Sequence, residues 1–85
     1  MATKNVVVGS SVGLHARPAA LIAQAATEAG VPVTISMPGG TPVDAGSALM
    51  IMTLGAKAGD EVVVESQDEA VVDTISGMVE QDLDA

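Results

Sequence analysis

The chain has no cysteine, phenylalanine, tyrosine or tryptophan, and only one histidine among its 85 residues. Without cysteine there is neither a disulfide framework nor a thiolate metal site. With a single histidine besides, a tetrahedral zinc centre lacks its usual ligands, so neither a metal nor a cofactor is expected. The missing aromatics are the platforms on which single-stranded nucleic acid stacks, and a net charge of −8 opposes any polyanionic partner. Long hydrophobic runs are missing too. No stretch nears the ~20 apolar residues of a membrane helix. Near the N-terminus, Lys4 and then Val6-Val7-Val8 make too short a run for the hydrophobic region of a signal peptide. The expectation is a cytoplasmic protein that binds no nucleic acid and does not insert into membranes.

What remains is Val, Ile, Leu, Met and many Ala, from which one small domain spanning residues 1–85 must build its core. Small side chains favour close approach of helix to sheet over bulky filling. The charge is uneven. Residues 44–85 hold ten of the eleven acids against Lys57 alone, whereas residues 1–43 hold Lys4, Arg17 and Glu28. Such an acidic half is a solvated surface that aids solubility, and it also suits steering towards a basic partner.

The hydrophobic periods predict seven elements. Thr3 to Val8 is a β-branched strand ending at Gly9, and a Gly/Ser loop follows it. A helix runs from about Ala16 to Ala29 with Ile22, Ala25, Ala26 and Ala29 on its apolar face, and stops at Gly30. In the strand Val31 to Met37, Val33, Ile35 and Met37 share one face. A turn at Met37-Pro38-Gly39-Gly40-Thr41 leads to a strand over Thr41 to Ala45, and Pro42 marks that strand as an edge. A short helix over Ser47 to Leu54 has Ser47 as its cap; a strand over Glu61 to Glu65 follows. The last helix runs from about Gln67 to Leu83 with Ser66 as its cap, and Gly77 in its interior suggests close packing. The order is βαββαβα, an α+β arrangement with helices on one face of an antiparallel sheet.

Chemistry concentrates at Gly13-Leu14-His15-Ala16-Arg17-Pro18-Ala19-Ala20, which holds the only histidine and the only arginine. Pro18 belongs in a helix's first turn, where a missing N–H costs nothing. His15 is then expected at or near the helix N-terminus, where free N–H groups and the helix dipole favour an anion and disfavour imidazolium. A neutral imidazole there is a nucleophile. A guanidinium two residues on neutralises a transferred phosphoryl oxygen. An isolated His-x-Arg would carry little weight; the whole stretch carries a great deal.

That stretch resembles the active-site motif of HPr, the histidine-containing phosphocarrier of the bacterial phosphoenolpyruvate–sugar phosphotransferase system. Ser47-Ala48-Leu49-Met50-Ile51-Met52-Thr53-Leu54-Gly55 resembles the second signature of the same family. The resemblance implies an open-faced β-sandwich with strand order 1-4-2-3, in agreement with the edge position argued from Pro42. It also implies a phosphocarrier that is a substrate rather than an enzyme with its own turnover. The phosphoryl group would pass from the phosphohistidine of enzyme I to the δ1 nitrogen of His15, and then to a histidine on the A domain of a sugar-specific enzyme II. Ala16, Arg17 and Pro18 would form the phosphoryl cradle. One departure is Val12, where many relatives carry a polar residue before the glycine.

The helix Ala48-Leu49-Met50-Ile51-Met52 is apolar nearly all round, so some of these side chains must be enclosed and others face water. In the HPr family this region docks partners, which singles out Leu49 and Met50, with Leu21 contributing from the first helix. Methionine suits a surface that fits several partners. Ser47 is explained fully as a helix cap. In some HPr proteins the matching serine is phosphorylated by a kinase, although Gly46 stands here where relatives often carry a basic residue. A serine kinase and transcriptional regulators thus join enzyme I and the enzyme II A domains as partners the resemblance admits, with the chain itself a monomer. Two other readings stay open: a specialised HPr-like carrier for nitrogen regulation or dihydroxyacetone phosphorylation, and a regulatory binding module without phosphoryl transfer.

Overall fold

The computed structural model describes residues 2–9, 13–14 and 16–81. In chain order the elements are β1 (Ala2–Val7), α1 (Ala16–Glu28), β2 (Val33–Ser36), β3 (Val43–Asp44), α2 (Ala48–Thr53), β4 (Glu61–Ser66) and α3 (Glu69–Glu80). The strands form one antiparallel sheet in the order β1-β4-β2-β3. Both the expected element order and the expected strand order are observed. Among the described residues, no helix is long and apolar enough to cross a membrane.

Strand alternation sets the two faces of the sheet. Val62, Val64 and Ser66 of β4 point to the core with Val6, Val33 and Ile35, while Glu61, Val63 and Glu65 point to the open face. Ile22, Ala19 and Ala26 of α1, Ile51 of α2, and Val72, Ile75 and Val79 of α3 join that core. Ala23 is buried beside them, and α1 packs against α2 and α3.

The turn after β2 begins at Met37. Gly40 N–H donates to the Met37 carbonyl at 2.8 Å, with Pro38 and a positive-φ Gly39 between them, the residues a type II turn requires. Met37 therefore leaves the strand, though it still packs on the core. β3 is only two residues long, because Pro42 has no N–H for the ladder.

Two expectations for α3 are corrected. Its cap is Asp68, whose carboxylate accepts from the N–H groups of Ala70 and Val71. Ser66 is instead the last residue of β4, and its hydroxyl donates to the Pro32 carbonyl at 2.8 Å. Strand pairing with Ala2 and Val33 takes Ser66 out of the helix. Leu83, expected near the end of this helix, lies outside the described residues. Gly77 is not a close-packing residue either: a methyl group added there would meet nothing within 4 Å.

Candidate functional site

α1 begins at Ala16 and carries Arg17 and Pro18 in its first turn. N–H groups in a helix's first turn have no acceptor within the helix. Pro18 brings no N–H to that turn at all. Ala16 and Arg17 are exposed, whereas Pro18 is buried and anchors the turn against the core. The helix start therefore sets the positive end of the helix dipole beside the exposed Ala16 and Arg17. His15 and Val12 lie outside the described residues.

The approach to this helix is held by Gly13 and Leu14. Gly13 has φ +76°, and a Cβ there would lie 2.6 Å from the Ala56 carbonyl oxygen and 2.9 Å from the Lys57 Cα. Only glycine satisfies both the backbone angle and the contact. Leu14 donates its N–H to the same Ala56 carbonyl at 3.1 Å and buries its side chain in the core. The segment before α1 is thus fastened to the segment after α2. Sequence reasoning assigned Gly13 to the motif but missed this contact, which joins residues distant in sequence.

α2 packs against α1. Ser47 caps it as expected, its hydroxyl accepting from the Met50 N–H at 3.3 Å. Ile51 is fully buried, and its neighbours are turned outward: Leu49 is 68% exposed, Met50 40% and Met52 38%. Leu21 on α1 is 38% exposed. The three residues expected to face water do so. Met52 was not singled out, although its step of about 100° from the buried Ile51 was the signal that could have found it.

Comparison with known proteins identifies the family. The family model for the PTS HPr component phosphorylation site matches residues 2–81. The chain belongs to the HPr family. It is 44% identical over 87 residues to the phosphocarrier protein HPr of Streptomyces coelicolor, an alignment covering 99% of this chain and 94% of that protein. The crystal structure of HPr from Bacillus anthracis superposes with a TM-score of 0.84 at 30% identity, covering 92% of this chain and 95% of that one. HPr-C-His from Thermoanaerobacter tengcongensis gives a TM-score of 0.88 at 26% identity, covering 100% and 98%. As an HPr-family member the chain is a phosphocarrier of the phosphotransferase system, and the family implies enzyme I and enzyme II as partners.

Proposed function

We propose that His15 is the residue that carries the phosphoryl group, within a single phosphocarrier domain formed by residues 1–85. Its δ1 nitrogen attacks the phosphorus of phospho-enzyme I. The P–N bond to enzyme I breaks, the enzyme I imidazole leaves, and the reverse chemistry delivers the group to a histidine on the A domain of a sugar-specific enzyme II. One observation supports this reading: in the sequence His15 immediately precedes a helix that opens with the exposed Ala16 and Arg17. Those residues stabilise charge on the transferring oxygens. Pro18 limits the number of donors, so the cradle stays weak enough for the group to leave again.

Leu21, Leu49 and Met50 form the surface on which enzyme I and the enzyme II A domain dock, and their exposure supports this. The protein acts as a cytoplasmic monomer. Ser47 is a candidate for regulatory phosphorylation by a serine kinase, and transcriptional regulators are candidates for the same docking surface.

Incubation with phosphoenolpyruvate and enzyme I, followed by intact mass, tests the assignment. One phosphoryl group should be gained, labile in acid and stable in alkali as a phosphoramidate is. A His15→Ala protein that still gains the group overturns it. The same assay separates a carrier from a binding module without transfer; the specialised carriers differ from the sugar carrier in their acceptors.

A further inference from the structure

We infer that Met50 and Met52 are a modification site, oxidised to methionine sulfoxide by peroxide-class oxidants, and that this oxidation reversibly disables docking. The inference rests on the docking reading given above. The chain has no cysteine, phenylalanine, tyrosine or tryptophan, which leaves the thioethers of its five methionines as its readiest acceptors of an oxygen atom. These methionines are not equivalent. Met37 and Met78 are partly buried and pack against the core. Met50 and Met52 are exposed and stand on either side of the buried Ile51.

The chemistry is a two-electron oxygen-atom transfer. A sulfur lone pair attacks one oxygen of hydrogen peroxide, the O–O bond breaks, the sulfoxide S–O bond forms, and water leaves. Sulfur is oxidised and peroxide reduced, with no further reagent needed; methionine sulfoxide reductases return the thioether. The consequence follows from position. A sulfoxide on a solvated surface keeps its hydrogen bonds to water, so the fold does not suffer. Once a partner covers the patch, the same polar group must give up that water to an apolar neighbour, which disfavours the complex. Ile51, the residue of α2 that holds the helix to the core, carries no oxidisable atom.

The test treats the full chain with hydrogen peroxide and follows each methionine by peptide mapping, where each oxygen adds about 16 Da. Met50 and Met52 should be oxidised ahead of Met37 and Met78. Circular dichroism should stay unchanged, and phosphoryl acceptance from enzyme I should slow by about tenfold and recover with methionine sulfoxide reductase. A protein carrying Met50→Leu and Met52→Leu should show the same rate before and after peroxide. Uniform oxidation of all four core and surface positions overturns the proposal, as does undiminished transfer by protein oxidised at Met50 and Met52. A Met50→Glu protein separates the causes. If it is slow while the oxidised protein is not, the redox device alone has failed. If it too transfers normally, the docking reading has failed with it.

Discussion

Gly77 and Gly13 illustrate opposite reasons for a missing side chain. Gly77 lies in the interior of α3 with no positive φ and open space around it. Alanine there restricts the unfolded chain and suits the helix, so Gly77→Ala should stabilise the protein by ~1 kcal/mol, raising Tm by about 4–8 °C for a domain of this size. Thermal denaturation checks it, and a fall in Tm would mean that the helix needs its glycine for a reason not visible in its packing. Gly13→Ala should do the reverse. It forces a side chain into the left-handed region and against the Ala56 carbonyl and the Lys57 backbone, for a loss of about 1–3 kcal/mol. Denaturant unfolding measures this loss. Because Gly13 fastens the approach to α1, phosphoryl acceptance should fall as well. Arg17 is a test of electrostatics rather than stability. Arg17→Lys keeps the charge but loses the planar fork, and Arg17→Glu sets a like charge against the phosphoryl oxygens. Transfer should slow in that order with circular dichroism unchanged, and equal rates in all three proteins would leave Arg17 only a surface role.

Among the elements, α2 joins the two signatures of the sequence into one surface. Ile51 is buried while Leu49, Met50 and Met52 face outward, so Met50→Glu should weaken binding to enzyme I, measured by titration, and leave Tm nearly unchanged. A large loss of stability would place Met50 in the core instead. Ser47→Asp retains an acceptor for the Met50 N–H and adds negative charge beside the exposed apolar side chains. Its fold should survive while acceptance from enzyme I slows, because docking must desolvate that charge; unchanged kinetics would reduce Ser47 to a cap. Elements were legible in the sequence wherever local chemistry decides them. Pro42 marked an edge, Pro38 and Gly39 marked a turn, and Ser47 marked a helix start. Ser66 misled because its capping signal competes with strand pairing to Val33 and a hydrogen bond to the Pro32 carbonyl. Both partners are remote in sequence, and no local pattern announces them. The same limit hid the contact between Gly13 and Ala56, whereas the start of α1 at Ala16 and the exposure of Arg17, Leu49 and Met50 followed from local spacing and the family resemblance.

At the scale of the whole molecule, the acidic half of the sequence becomes a surface. Glu61 and Glu65 of β4 share the open face of the sheet, and Asp44 of β3 shares it through its pairing with Thr34, itself opposite Glu65. Glu69, Asp73 and Glu80 are exposed on α3. Several of these acids accept hydrogen bonds from neutral donors: Thr3 to Glu65, Asn5 to Glu61, and the Gly46 N–H to Asp44. Such bonds orient a carboxylate but do not cancel its charge. With a net charge of −8, the folded state therefore contains self-repulsion that an expanded chain relieves. Added salt shortens the screening length from about 30 Å at 0.01 M to about 10 Å at 0.1 M, well within the 29 × 26 × 19 Å extents of the domain. Tm should accordingly rise with sodium chloride over that range. The paired substitution Glu61→Gln with Glu65→Gln preserves acceptors for Asn5 and Thr3 while removing two charges from one face, so it should raise Tm at low salt and flatten the salt dependence. A Tm that falls with salt, or a double variant as salt-sensitive as the parent, would show that the acids of the open sheet face do not repel one another enough to affect folding.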